Sequence, residues 1–291
     1  MALKVAKKNK CSFVTFYHTL LEDYAEVRVK KYIQDKFHNP KKKKILTEKS
    51  FEKISNHLSK NTKSIMGYWL NNFYKKSNII FTPSKLIKKR LKKFFKGKIK
   101  VLPHGVDSKI FNPRYRTRNN KKIEAIFVGR ITPEKNLRLL VDTFSKRKDV
   151  DLKIIGDGPY LKEMKRLLPQ AKYLGTVSGK KLSKEYANSD FLVFPSKTDT
   201  FGLVVLESMS SGLPAIVMDS PGPKEIVHEG VTGYIAKNKK DFIKKVNFLV
   251  KNPKLIRRMG KEARKYAEKQ TWDVGFDELL KYFKKLSNLN S

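Results

Sequence analysis

Short runs of β-branched and aromatic residues alternate with amphipathic stretches of helix length along this chain. That alternation is its strongest constraint on fold. Candidate strands lie at 12–16, 78–82, 99–102, 124–128, 151–155, 191–195 and 214–217. Helical patterns fill the intervals 137–147, 160–167, 180–187 and 241–250, and another follows Trp272. Strands separated by helices predict parallel sheets built from βαβ units, an α/β chain. A length of 291 residues suits two Rossmann-like domains. The polar, Pro-containing stretch NPRYRTRNNKK precedes a fresh strand and marks the boundary. The expected division is 1–112, a linker at 113–122, a second domain at 123–270, and a C-terminal helix at 271–291 crossing back to the first.

Composition narrows the setting. One cysteine, Cys11, excludes an internal disulfide framework and fits a reducing compartment. No apolar run reaches the roughly 18 residues of a membrane span, and MALKVAKKNK lacks the apolar core of a signal peptide. A cytoplasmic protein is expected. The charge is the outlier: 65 Lys and Arg against 27 Asp and Glu give +38. Residues 1–120 carry 31 basic and 7 acidic residues, a net +24, so the excess is concentrated early. Such a field favours an anionic partner, or reflects only a lysine-rich solvated surface. In KLIKKRLKKFFK, residues 85–96, Leu86, Ile87, Leu91, Phe94 and Phe95 share one helical face and the lysines the other. That helix suits a membrane interface, or packs its apolar face on a sheet. A nucleic-acid role accounts for the charge but has no reading module in the sequence.

Three turns carry candidate chemistry. After the strand at 124–128, Gly129 and Arg130 are followed by Lys135 near a helix start, which places cations where a phosphate would sit. After 151–155, the turn Gly156-Asp157-Gly158-Pro159 either brings backbone close to a ligand or is simply a tight turn. After 191–195, Asp199 and Thr200 precede a helix expected from about Phe201 to Ser211, with Thr200 as its N-cap. Gly202 in its first turn leaves amides uncovered at the positive end of the dipole. Glu207 is a carboxylate on an otherwise apolar helix, LVVLESM, where an unpaired charge is costly. It is expected to meet a ligand hydroxyl or a neighbouring structural group.

GRITPEKN, IIGDGP, Leu174-Gly175, FPSKTDTFGLVVLESMSSGLP and GPKEIVHEGVTGY stand in the order and spacing of glycosyltransferase family 4. The chain resembles that family strongly from about Asn78 onward and more weakly over residues 2–24. The resemblance implies a GT-B fold and a retaining transferase using a nucleotide sugar, UDP-glucose among the candidate donors, without metal or other cofactor. Arg130 and Lys135 would hold the donor diphosphate. Gly202, with Thr200, Phe201 and Leu203 around it, would cap the same phosphates, and Gly129, Gly156 and Gly158 would shape the donor cleft. Glu207 would bond the ribose. Asp199 stands where the family has a Glu that holds the sugar hydroxyls, and His18 in TFYHT matches the histidine that reaches the sugar from the first domain. Asp is shorter than Glu by one C–C bond, about 1.5 Å.

The family's first strands and Gly-rich acceptor loop have no counterpart here, so the N-terminal domain is expected to be incomplete. A polypeptide that completes it is one expectation, and a non-catalytic or split subunit is the alternative function. ALKVAKKNKCSFVTFYHTLLEDY resembles the branch that includes monoglucosyldiacylglycerol synthases, sulfolipid synthases and mannosyltransferases. That branch implies a membrane-lipid acceptor and peripheral binding at the inner face of an anionic membrane, with a polysaccharide or lipopolysaccharide glycan as the other acceptor class.

The charge distribution predicts sedimentation with phosphatidylglycerol vesicles but not with phosphatidylcholine vesicles. Binding is expected to weaken as salt rises. Charge reversal at Lys88, Lys92 and Lys96 is expected to lower the anionic preference severalfold, about 1 kcal/mol per lysine near the surface.

Overall fold

The computed structural model describes residues 2–9, 11–37, 48–119 and 122–287. The chain forms two compact units. The first comprises Met1–Phe81 and Lys88–Lys100, the second Thr82–Ile87 and Val101–Ser291. The second unit is thus discontinuous in sequence.

In the first unit, β1 (Val14–Phe16), β2 (Ile79–Thr82) and β3 (Lys98–Val101) form a sheet in the order β1-β2-β3. β1 and β2 run parallel, with Val14 opposite Ile79. The helices are α1 (Ala2–Lys8), α2 (Leu21–Phe37) and α3 (Glu48–Tyr74), with the last four residues of α4 (Lys85–Leu91), whose first three belong to the second unit. α2 packs along α3. Leu20, Ile80 and Phe81 are wholly buried. The helix expected over 85–96 ends at Leu91, and its apolar side chains Ile87, Leu91 and Phe95 are buried, leaving Phe94 exposed. A helix linking two paired strands must bury a face to hold its place, so the apolar face of this segment takes the core reading, while Lys85, Lys89, Lys92, Lys93 and Lys96 stay exposed.

The second unit contains a six-stranded parallel sheet of order β6-β5-β4-β7-β8-β9. Its strands are β4 (Ile123–Val128), β5 (Val150–Ile155), β6 (Lys172–Tyr173), β7 (Phe191–Phe194), β8 (Ala215–Met218) and β9 (Gly233–Ala236). The helices are α5 (Arg138–Phe144), α6 (Leu161–Leu167), α7 (Gly179–Ala187), α8 (Leu203–Ser210), α9 (Pro223–Ile226), α10 (Lys239–Lys251), α11 (Pro253–Glu268) and α12 (Trp272–Ser287). β7, β8 and the Ala125–Val128 part of β4 read as unbroken apolar runs because helices cover both faces of a parallel sheet. The sequence pattern did not predict β6 or β9. β6 has two residues, and β9 opens on Gly233, where a Cβ would sit 2.0 Å from the Ala215 carbonyl oxygen.

Polar anchors brace the starting edge of this sheet. Arg116 and Arg118 both reach Asp190, at 2.9 and 2.8 Å, and Asp190 also accepts the Glu124 amide. Lys153 is buried between Glu124 and Glu185 at 2.7 and 2.8 Å, so its charge is fully compensated. Among the described residues no helix is long and apolar enough to cross a membrane.

Gly156 combines φ +134 with a position where a Cβ would lie 2.0 Å from the Gly129 carbonyl oxygen. Gly175 has φ +66 with open space around it. Gly156→Ala is therefore expected to cost about 3 kcal/mol or more, and Gly175→Ala about 1 kcal/mol, in urea unfolding.

Candidate functional site

Strand order in the second unit reverses between β4 and β7, and ligands of open parallel sheets bind beyond the carboxyl ends of strands at such a point. The loops that leave β4, β5 and β7 meet there through their backbones. Gly129 N–H donates to Ile155 O at 3.0 Å, and Ile131 N–H to Asp157 O at 2.8 Å. Tyr160 N–H returns to Ile131 O at 3.0 Å. On the other flank, Asn136 Nδ2 donates to Pro195 O at 3.1 Å and Thr198 Oγ1 to Glu134 O at 3.3 Å. Gly129, Gly156 and Gly158 all adopt positive φ. Asn136 does too, at +57, which ends the short 3-10 turn Pro133–Lys135.

This framework sets Lys135 against Asp199, with Nζ 2.7 Å from Oδ1. Lys135 is 8% exposed and also lies 5.7 Å from the Phe194 ring centroid. The other carboxylate oxygen, Asp199 Oδ2, is buried and has no hydrogen-bond partner among the described residues. A buried acceptor without a donor costs on the order of 1–3 kcal/mol, so this oxygen is ready to take a hydroxyl. Arg130 is exposed on the same loop.

The helix after β7 starts later than its sequence suggested. α8 begins at Leu203, and Gly202, at φ +96, is its N-cap. Thr200 therefore does not cap it: the cap falls at Gly202, two residues later. No side chain occupies the cap, so the first amides of α8 are uncovered. Gly222 permits the following loop to close over this turn, since a Cβ there would lie 2.3 Å from Phe201 N. Phe201 is half-buried, with His104 edge-on at 5.1 Å, and Leu203 is partly exposed.

Glu207 sits one turn into α8 and accepts from the Tyr186 hydroxyl at 3.1 Å. Burial pushes its carboxyl above the ordinary range, and the Tyr186 bond only partly opposes that. The structural partner of Glu207 is thus Tyr186 on helix α7, not a neighbouring loop, and it engages one of the two oxygens. Tyr186 is fully buried and its own pKa is raised well above normal by burial and then by Glu207. His18 belongs to the first unit, where it stacks on Phe16 at 5.5 Å, and desolvation holds its imidazole below the usual range.

A family model described as glycosyl transferases group 1 matches residues 108–266. The chain belongs to the group 1 glycosyl transferases. Among curated relatives, sulfoquinovosyl transferase SQD2 of Arabidopsis thaliana is 36% identical over 192 residues, covering 60% of this chain and 38% of its own length. Alpha-monoglucosyldiacylglycerol synthase of Streptococcus pneumoniae is 25% identical over 193 residues, covering 58% of this chain and 44% of its own. The chain thus matches less than half the length of either. Sucrose-phosphate synthase of Thermosynechococcus elongatus superposes with TM-score 0.74 at 16% identity, over 98% of this chain and 72% of that one. The fold is GT-B.

Within this glycosyl transferase, the second unit carries Gly129, Arg130, Lys135, Gly156, Gly158, Asp199, Thr200, Phe201 and Gly202 on its loops and Leu203 and Glu207 on α8. Sequence reasoning missed Tyr186, which reads as an ordinary core aromatic, and Asn136, whose turn role shows only in its φ. It also passed over Glu225. That carboxylate accepts the amides of Lys85, at 2.9 Å, and Leu86, and so caps the start of α4.

The raised Glu207 pKa has a definite sign. Its neutral form suits the fold, so its stabilising share is complete below the unfolded value and is lost as pH rises through the folded one. Glu207→Gln is expected to melt about 2–3 °C above wild type at pH 7.5. Calorimetric scans at successive pH values are expected to show that advantage shrinking toward pH 4.5.

Proposed function

We propose that the chain transfers a hexose from a nucleotide sugar to a hydroxyl acceptor with retention at the anomeric carbon, and that the acceptor is a membrane lipid of the diacylglycerol type. The observation that carries this reading is the Lys135–Asp199 pair, whose second carboxylate oxygen is buried without a partner among the described residues, on loops that also carry Arg130 and lead into the uncapped start of α8. In the reaction the bond from the anomeric carbon to the diphosphate oxygen breaks, and negative charge builds on the leaving oxygen. Two cations and a helix N-terminus held in fixed loops stabilise that charge without reorganising. Lys135 is shared: its pairing with Asp199 sets the ammonium beside the carboxylate that would hold the sugar hydroxyls. Glu207, held on one side by Tyr186, offers its second oxygen to the ribose. His18 keeps the role that the family resemblance gives it, the histidine for the donor sugar. The lipid acceptor is supported by the basic early segment and by the diacylglycerol named in the pneumococcal relative.

Calorimetry with UDP, GDP and their glucose and mannose conjugates, with and without EDTA, tests the donor half. One of these nucleotides is expected to bind equally well in EDTA. Arg130→Ala is expected to weaken diphosphate binding about tenfold and nucleoside binding little, as befits a lost charge-assisted hydrogen bond. Failure of every nucleotide to bind, or binding abolished by EDTA, removes the reading. Transfer of radiolabelled sugar to diacylglycerol tests the acceptor half. It is expected to fall at least a hundredfold in Glu207→Ala and His18→Ala.

A further inference from the structure

The first unit holds a cavity of about 440 Å³ beside α3, a size typical of small-molecule sites. Its wall is largely apolar and aromatic, including Leu70, Tyr74, Ile80, Leu91 and Phe95. Tyr68 and Phe94, which line it as well, are 67% and 57% exposed, so the apolar lining continues out to solvent. Lys92, Lys93 and Lys96 are exposed on the segment that carries Phe94.

The polar groups of the cavity divide sharply. Glu22 accepts from Tyr17 at 2.8 Å and from Arg90 at 2.9 Å, while Arg90 and Lys63 both reach Asp23, at 2.7 and 2.6 Å. These charges satisfy one another. Asn71 Oδ1 is the exception: it is buried, lines the cavity and has no partner among the described residues. A buried amide oxygen left this way costs on the order of 1–3 kcal/mol, which a ligand hydroxyl would recover.

Gly67 adds an independent sign. It lies in the interior of the 27-residue α3, where glycine costs about 1 kcal/mol relative to alanine. Neither a positive φ nor a close neighbour requires it, since a Cβ there would meet nothing within 4 Å. Its effect is to leave one wall of the cavity open.

We propose that this cavity binds the hydrocarbon portion of a glycerolipid bearing a free hydroxyl, with Asn71 Oδ1 accepting that hydroxyl and Gly67 keeping room for the chain. The occupant follows from the asymmetry of the site: apolar walls, one hydroxyl acceptor, and an apolar mouth beside lysines that suits entry from an anionic lipid surface. As an acceptor site it rests on the transferase reading above, but the binding itself is measured without any transfer.

The test titrates the 291-residue chain with 1,2-dioctanoylglycerol, read by native mass spectrometry and by isothermal titration calorimetry. One saturable equivalent is expected, with several-fold weaker binding of 1,2-dioctanoyloxypropane, which lacks the hydroxyl. Gly67→Leu is expected to lower affinity at least tenfold while its melting temperature holds or rises. Asn71→Leu is expected to abolish the preference for the hydroxyl. Nucleotide binding is expected to stay unchanged in both variants, so loss of donor binding in wild type sinks the transferase reading and leaves this one standing. The proposal is overturned if folded wild type takes up no diglyceride or if Gly67→Leu binds it equally well. It is also overturned if wild type is an oligomer that Gly67→Leu dissociates, which would put a second copy in the cavity.

Discussion

The second unit depends on one close approach of backbone to backbone. At Gly156 the loop after β5 passes so near the Gly129 carbonyl that any side chain would overlap it. That contact lets Ile131 and Tyr160 exchange hydrogen bonds with the neighbouring loop, and Asn136 then ties the same strand exit to Pro195. Three loops become one rigid rim. The charged groups carried on it keep their spacing because the backbone is fixed, not because their side chains are stiff. Precision of this kind matters where a displacement of about 1 Å can cost about a hundredfold in rate.

The electrostatics of the two ends of the sheet differ. At the starting edge, Lys153 meets two carboxylates and Asp190 meets two arginines and an amide, so the buried charges there are saturated. At the finishing edge, among the described residues, Lys135 pairs with Asp199, whose other oxygen has no partner. Breaking a buried pair by removing one member costs about 3–5 kcal/mol, so Lys135 and Asp199 protect each other while that second oxygen stays open. Saturation marks the structural end, and an unmet valence marks the end suited to a ligand.

Much of the second unit was legible in the sequence, because a parallel sheet buried on both faces writes its strands as apolar runs and its ligand loops as glycine turns. The runs at 125–128, 191–194 and 215–218 stand out for that reason. Thr200 was misassigned as a cap because preference by residue type does not register the left-handed φ of Gly202. Tyr186 was invisible because a tyrosine with a hydrogen-bonded hydroxyl and one merely packed look alike in a helix pattern. The first unit was harder to read. α3 is rich in Lys, Asn and Ser, its apolar residues are partly exposed, and its helix is held by α2 rather than by clear end signals. The segment 85–96 carried two readings on one amphipathic pattern, and only the burial of Ile87, Leu91 and Phe95 separated them.

The discontinuity of the second unit limits how the molecule can be dissected. A fragment starting at Val101 would contain all six strands of the larger sheet and every loop of its rim. It would also strip Glu225 of the Lys85 and Leu86 amides and leave the Leu102 N–H without the Thr82 carbonyl, 2.8 Å away in the intact chain. Six residues from before the apparent start of the unit are therefore part of its fabric. A shortened version that retains the native surroundings of Glu225 has to begin upstream of Thr82 and carry along the stretch 88–100 that belongs to its neighbour.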